Sequence, residues 1–299
     1  MPREETRAAA PETPADVVRA FYESHPYPAP IGDLDRHRDL YRNPDRRRAL
    51  SLLLWPTEKS RASREILVAG CGTSQAAIHA LREPDALVTA IDISETSLRY
   101  TRDLQQKYRL RNLDLHQLAI EQIGELGHIF DQIVCTGVLH HLPDPDIGLR
   151  SLRNVLAPRG AMHVMVYGTY GRAGIYMMQE YCRLLGISAT EAELRELGTT
   201  IGALSADHPI AGVSIRAKDF RNPDALAMRC STPKTAPIPC RSSMPGWSGA
   251  AYPSGAGSNR LPISRNAGRW RACHTPRASP RSFLSPDSRH VKLLGLKVA

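Results

Sequence analysis

Short apolar segments alternate with amphipathic segments through the middle of the chain. Residues 66–69 are apolar and lead into a glycine-rich turn, and good helix formers follow from Ser74. Four later segments have a similar strand-like pattern, although the second of these strands is weak: 87–92, 113–118, 130–136 and 161–167. Strands separated by helices predict an α/β fold, a doubly wound and mostly parallel sheet with helices on both faces.

Helical patterns occupy the segments between and around these strands. The predicted helices are a short amphipathic one at 15–22, one capped by Ser94, one at 145–156, one at 172–185, and one or two over 190–204. The segment 24–30 contains three prolines, which predict an extended arm that carries His25 and Tyr27 across a neighbouring surface.

Candidate ligand-binding residues follow three of the predicted strands. The turn Gly70-Cys71-Gly72 ends the first strand, Asp92 ends the second and Thr136 ends the fourth. In open α/β sheets, ligands bind at the carboxyl edge, where these positions meet. Asp92 lies 20 residues beyond Gly72, a spacing that suits a carboxylate accepting hydrogen bonds from the two hydroxyls of a ribose.

This stretch resembles motif I and the acidic strand end of class I S-adenosylmethionine-dependent methyltransferases. The similarity continues through Leu-His-His-Leu-Pro-Asp-Pro at 139–145, a sequence frequent after the fourth strand of that family, and it covers roughly residues 15 to 187. The resemblance implies a Rossmann-like methyltransferase fold, S-adenosyl-L-methionine as cofactor, and transfer of a methyl group (EC 2.1.1 class). It does not identify the acceptor.

The resemblance also implies which residues bind the cofactor. These candidates are Gly70, Cys71, Gly72, Thr73, Ser74, Asp92, Ile93, Ala119, Ile120, Thr136 and Gly137. The family carries an acidic residue near the adenine amine, where this chain has Ala119, so adenine recognition is left to backbone groups at Ala119 and Ile120.

Catalytic and substrate-binding residues are harder to name, because the activated sulfonium leaves the protein mainly to position the donor and the acceptor. His140 and His141 are the candidates for a general base, and a structural role at a helix start is the alternative. Because an N-terminal element often covers the cofactor in this family, Tyr22, His25 and Tyr27 are candidates for substrate contact. A packed extended arm without contact to substrate is the other interpretation.

Two further functions remain open at this stage. Gly-x-Gly with a distant acid is also typical of NAD-dependent oxidoreductases, but a dinucleotide site usually has a third glycine, where this chain has Gln75. The other alternative is a non-catalytic nucleoside-binding protein of the same fold.

The composition and charge of the chain limit the classes of partner that it is expected to bind. The net charge is +9, yet twelve basic and two acidic residues fall within 223–299, so the remainder is close to neutral. This predicts a small-molecule substrate and no nucleic-acid partner. The chain lacks an apolar run of membrane-spanning length and a secretory signal, and its six cysteines form no Cys-x-x-Cys pair, which predicts a cytoplasmic protein with reduced thiols and no metal site.

Four regions are predicted: a tail, helix and proline-rich arm that acts as a lid (1–60), a cofactor-binding core (61–168), a helical substrate-side insertion (169–222), and a basic Pro/Ser/Arg-rich tail (223–299). Periodicity stops near Ala227. One interpretation is a disordered basic tail. The other is a frameshift between about Asp224 and Met228, with loss of the last strands of the sheet, because a shifted reading frame with permissible codons restores a helix and strand pattern.

Overall fold

The computed structural model describes residues 13–55, 64–167, 173–187, 190–205, 207–208 and 226–227. Within them, five parallel strands form one sheet in the order β3-β2-β1-β4-β5. The strands are β1 (Glu65–Ala69), β2 (Leu87–Asp92), β3 (Leu113–Gln117), β4 (Phe130–Thr136) and β5 (Leu156–Met165). The predicted doubly wound α/β fold is confirmed.

Helices connect the strands and cover both faces of the sheet. They are α1 (Pro14–Ser24), α2 (Asp35–Tyr41), α3 (Pro44–Leu54), α4 (Gln75–Arg82), α5 (Glu95–Tyr108), α6 (Pro145–Asn154), α7 (Ala173–Leu184) and α8 (Glu191–Gly202). Two 3-10 helices, Ile120–Leu126 and Leu139–His141, follow β3 and β4. The sequence pattern did not predict α2, α3 or the 3-10 helices as separate elements.

The strand β1 lies at the centre of the sheet and is buried on both faces. Ile66 and Val68 belong to the apolar cluster that includes α4 and α5, while Leu67 and Ala69 belong to the cluster that includes α6. Alternate residues of a strand point to opposite faces, so a continuous apolar run is what a central parallel strand requires. The order in which successive strands are added to the sheet reverses between β1 and β4. Ligands bind at such a switch point, outside the carboxyl ends of the strands.

The predicted bounds around β5 are wrong. The sequence predicts a helix to Leu156, a stop at 157–160 and a strand from Ala161, whereas α6 ends at Asn154 and β5 begins at Leu156. The stop is instead a register irregularity within the strand, because Phe130 pairs with Leu156 but Gln132 pairs with Ala161. A β-bulge accommodates such extra residues in a strand.

A separate small cluster forms beyond the sheet. Its buried apolar residues come from α7, from α8 and from Leu226 and Ala227. The interval predicted as one or two helices is a single helix, α8, which begins after the cap Thr190.

The frameshift hypothesis otherwise concerns residues outside the described ones, and the division of the chain into four regions stays a prediction. None of the described helices is long and apolar enough to cross a membrane.

The buried centre of β4 allows a direct test of the core. Ile133 is fully buried, whereas Ile129, just before the strand, is 54% exposed. We expect Ile133→Ala to lower the free energy of unfolding by about 2 to 5 kcal/mol, because it removes buried methyl groups and leaves a cavity. Ile129→Ala, the matched control, should change it by less than about 0.5 kcal/mol. Urea unfolding measures both, and equal losses would contradict this core.

Candidate active site

A cavity of about 380 Å³ opens at the carboxyl edge of the sheet, within the range of roughly 300 to 1,000 Å³ that is usual for ligand pockets. Its walls include residues that follow each of the five strands, and helix α1 with the arm after it contributes the remaining side. The residues lining it are Ala15, Val18, Tyr22, Tyr27, Pro28, Gly70, Cys71, Gly72, Ser74, Gln75, Ile78, Asp92, Ile93, Ser97, Leu118, Ala119, Ile120, Glu121, Thr136, Gly137, Val138, His141, Leu142, Pro143, Met165 and Tyr167.

The turn after β1 is held by hydrogen bonds within the protein. The amides of Gly70 and Cys71 both donate to the carbonyl of Ile91, at 2.9 and 3.0 Å, and the Gly72 amide donates to Asp92 at 2.8 Å. All three amides therefore have acceptors within the protein.

The two glycines are required by neighbouring protein atoms. Both have positive φ, +67° at Gly70 and +57° at Gly72, a conformation that residues with a Cβ rarely adopt. A Cβ at Gly70 would overlap the side chain of Val138, and one at Gly72 would lie 2.9 Å from the carbonyl oxygen of Tyr27. The tight turn therefore lets the arm and the β4 loop close over the cavity.

Asp92 joins the ends of β1 and β2. One carboxylate oxygen accepts from the Gly72 amide, and the other accepts from the Ser94 amide at 3.0 Å. Burial raises the pKa of Asp92 above its ordinary value, while the amides of Ser94, Gly72 and Ile93 act in the opposite direction. A carboxylate has about four acceptor positions, so these amide donors leave capacity for a ligand hydroxyl.

The residues after β3, together with Ile93 after β2, form an apolar wall beside Asp92. Leu118, Ala119, Ile120 and Ile93 line the cavity here, and they suit the faces of a planar base. The nearby carboxylate is Glu121, which is exposed and lines the same end. Sequence analysis did not single it out, because its position falls two residues beyond the place where the family carries its acid.

Helix α1 and the arm form the roof of the cavity. The Thr73 hydroxyl donates to the carbonyl of Pro28 at 2.7 Å, and the Ser94 hydroxyl donates to the carbonyl of Tyr22 at 3.3 Å. The Glu23 carboxylate accepts from the backbone amides of Glu95 and Thr96, at 2.6 and 3.0 Å. An acidic side chain at a helix N-terminus satisfies unpaired amides and interacts favourably with the helix dipole, so Glu23 holds α1 against α5.

An aromatic and imidazole cluster closes the side of the cavity near β4 and β5. The Tyr22 hydroxyl and Nε2 of His141 share a hydrogen bond of 3.0 Å. The His140 ring lies 3.9 Å from the ring of Tyr167 and 4.2 Å from that of His141, centroid to centroid. Both histidines are buried on the 3-10 helix Leu139–His141, at the start of the connection to α6.

The structure brings most of the predicted site residues together. All the proposed cofactor-binding residues line the cavity except Thr73, whose buried side chain binds the arm. Tyr22, Tyr27 and His141 also line it. His25 instead packs against the ring of Phe21, and His140 lies behind His141, so neither is among the lining residues.

Several lining residues were not predicted. Val18 follows from the amphipathic pattern of α1, and Met165 and Tyr167 follow from the rule that strand ends form the site. Gln75 was noticed only as the place of a missing glycine, yet its amide nitrogen donates to the Thr136 hydroxyl at 2.5 Å. No local signal indicates that contact, because it joins residues 61 positions apart.

The fold and the cavity define a doubly wound α/β domain with a nucleoside-sized site at its switch point. Residues 67–162 match a family model described as a methyltransferase domain. The chain therefore carries a methyltransferase domain, and its resemblance to the class I S-adenosylmethionine-dependent methyltransferase family is confirmed.

Two sequence relatives and one solved structure illustrate the similarity. An uncharacterized protein of Synechococcus sp. is 37% identical over 183 residues, which is 60% of this chain and 43% of that protein. The ubiquinone biosynthesis O-methyltransferase of Bordetella avium is 31% identical over 34% of this chain and 42% of its own length. PKMT2 from Rickettsia typhi in complex with AdoHcy is 21% identical, with 60% and 35% coverage and a TM-score of 0.43. The chain spans about two fifths of the two sequence relatives.

The roof contact at Glu23 predicts a specific pH dependence. Partial burial would raise the pKa of Glu23, but the hydrogen bonds from Thr96 and Glu95 and the charge of Arg99 outweigh it, so the pKa lies below its ordinary 4.5. A lowered pKa means that the unfolded state binds the proton more readily. The contribution of Glu23 to stability is therefore present above pH 4.5 and is lost as the pH falls through the lowered value.

Comparison with Glu23→Gln isolates this contribution. We expect the variant to unfold at a lower urea concentration than the wild type at neutral pH. We expect this difference to close as the pH falls below 4.5 and through the lowered pKa of Glu23. Glu125→Gln changes a carboxylate on the 3-10 helix Ile120–Leu126 and serves as the control. A gap between the wild type and Glu23→Gln that is independent of pH would contradict the assigned role.

Proposed function

We propose that this chain is an S-adenosylmethionine-dependent methyltransferase that acts on a small-molecule acceptor. The observation that carries the proposal is the Asp92 carboxylate, fixed by the amides of Gly72 and Ser94 with acceptor capacity left over, in the wall of a cavity at the switch point. The family model supports it independently, because it spans the same turn and acid.

The residues of the cavity fit the cofactor from one end to the other. Asp92 would accept hydrogen bonds from the ribose hydroxyls, and the apolar residues Ile93, Leu118 and Ile120 would pack on the base. The turn at Gly70 and the Thr136–Gly137 segment would border the amino acid portion. When bound, the cofactor supplies a methyl group activated by a positively charged sulfur. The roof formed by α1 and the arm excludes water, and this favours a near-attack arrangement.

The contact of Gln75 weighs against an NAD-dependent oxidoreductase. A dinucleotide site needs a small residue where the pyrophosphate and the helix approach the turn. Here Gln75 occupies that place, and its side chain is bonded to Thr136 across the switch point. The Gly72 amide is also engaged by Asp92. These features support the methyl donor over a dinucleotide.

A small-molecule acceptor agrees with the size of the cavity and with the name of one relative, a ubiquinone biosynthesis O-methyltransferase. The described lining residues include no Lys or Arg, so nothing among them would bind a phosphate backbone. A cytoplasmic location and the absence of a nucleic-acid partner stay predictions.

Binding measurements with two matched variants test this function. We expect calorimetry to detect micromolar-range binding of S-adenosylhomocysteine and no comparable binding of NAD. Asp92→Asn should weaken binding at least tenfold, about 1.4 kcal/mol, because an amide group cannot accept from the ribose and from both backbone donors. Asp114→Asn, on the exposed part of β3, should bind as the wild type does.

A thermal melt of each variant accompanies the titrations, so that a loss of binding is separated from a loss of folding. Binding of NAD in preference to S-adenosylhomocysteine, or equal binding by wild type and Asp92→Asn, would exclude the proposed function.

A further inference from the structure

We propose that Tyr22 and His141 form a proton relay for a hydroxyl acceptor, so that this methyltransferase acts on a neutral, weakly acidic hydroxyl group of an apolar molecule. This inference rests on the proposed function and names its acceptor class. The observation behind it is that Tyr22, from the roof, and His141, from the β4 loop, share a hydrogen bond of 3.0 Å and both line the cavity.

Tyr22 is held in place at both ends. Its carbonyl accepts from the Ser94 hydroxyl on the β2 side, and the neighbouring Glu23 fixes the helix to α5. Its ring meets the ring of His141 edge-on, with centroids 5.7 Å apart. The phenol group therefore crosses the roof from the β2 side to the β4 side and presents its oxygen to the cavity.

The surroundings of His141 favour a neutral acceptor. The lining residues around it are apolar or aromatic: Val138, Leu142, Pro143, Met165 and Tyr167. The two carboxylates of the lining, Asp92 and Glu121, follow β2 and β3, on the other side of β1. An alkylammonium acceptor would have no anion beside it, and a carboxylate or phosphate acceptor would find no cation among the described lining residues.

The titratable rings that the described residues place against His141 are Tyr22, His140 and Tyr167. The two tyrosines are neutral near neutral pH, and His140 is a second imidazole. Imidazole itself titrates in this range, and a base whose pKa lies near the working pH is the most effective one for proton transfer. His141 is therefore suited to take the proton that a hydroxyl acceptor must lose.

The relay requires the neutral His141 tautomer with its proton on Nδ1, so that Nε2 accepts from the Tyr22 hydroxyl. In the step, the acceptor oxygen bonds to the methyl carbon, and the carbon–sulfur bond breaks with its electron pair remaining on sulfur. The acceptor proton moves to the oxygen of Tyr22 as the Tyr22 proton moves to Nε2. The positive charge lost from sulfur thus ends on the imidazolium of His141, and atoms and charge balance.

A spectroscopic probe tests the relay without turnover. The full chain is saturated with S-adenosylhomocysteine and titrated with 4-nitrophenol at about pH 7, above the ordinary imidazole pKa of about 6.5, where an imidazole is mostly neutral. The visible absorbance reports the phenolate. In the wild type we expect a larger phenolate fraction for the bound probe than for the free one, because the proton passes to Tyr22 and His141. In Tyr22→Phe and His141→Gln that fraction should fall below the free value, because the apolar walls disfavour the anion.

Two substitutions outside the cavity are the matched controls. Tyr181→Phe changes an exposed tyrosine of α7, and His116→Gln changes a histidine of β3 beside Asp114. Both should ionise the bound probe as the wild type does. S-adenosylhomocysteine should bind to all five proteins with affinities within a few fold, because neither Tyr22 nor His141 is assigned to the cofactor.

Results other than these would contradict the relay, the hydroxyl acceptor class or the proposed function separately. Equal ionisation of the probe in the wild type, Tyr22→Phe and His141→Gln, or no binding of 4-nitrophenol to the saturated chain, would overturn the relay. Tighter binding of the 4-nitrobenzylammonium ion than of 4-nitrophenol would overturn the hydroxyl class. If the wild type does not bind S-adenosylhomocysteine, the proposed function itself is overturned.

Discussion

The bond from the Gly72 amide to the Asp92 carboxylate is the interaction on which the site depends. It ties the turn after β1 to the end of β2 at 2.8 Å, and the second oxygen of the same carboxylate holds the start of the connection to α5. A half-buried carboxylate is costly without donors. The two amides stabilise it as an anion, which in turn fixes the floor of the cavity in one geometry.

The contacts that hold α1 and the arm over the cavity depend on the turn after β1. Because Gly72 carries no side chain, the Tyr27 carbonyl approaches within van der Waals distance of the turn, and Thr73 anchors Pro28 beside it. Glu23 and Tyr22 then fasten α1 to α5 and to His141. The role of the arm as a lid stays a prediction.

Sequence reasoning succeeded where the physical signal is local. The strands β1, β2 and β4 are short segments rich in apolar residues with clear ends. Their order along the chain, with helices between them, is sufficient to predict a doubly wound sheet. It failed where the decisive contact is distant. The bounds of β5 depend on its pairing with Phe130 and Gln132, and the helices α2 and α3 carry few apolar residues in a clear period.

The amino-acid sequence by itself determined the fold class, the glycine turn and the acid that follows it, because strand periodicity and the spacing of Gly72 and Asp92 are properties of short segments. Only the tertiary structure decided which side chains share the cavity. The pairs Tyr22 with His141, Gln75 with Thr136, and Gly72 with Tyr27 join residues 119, 61 and 45 positions apart. Contacts at such separations are set by how the helices and the sheet pack, and no local pattern encodes them.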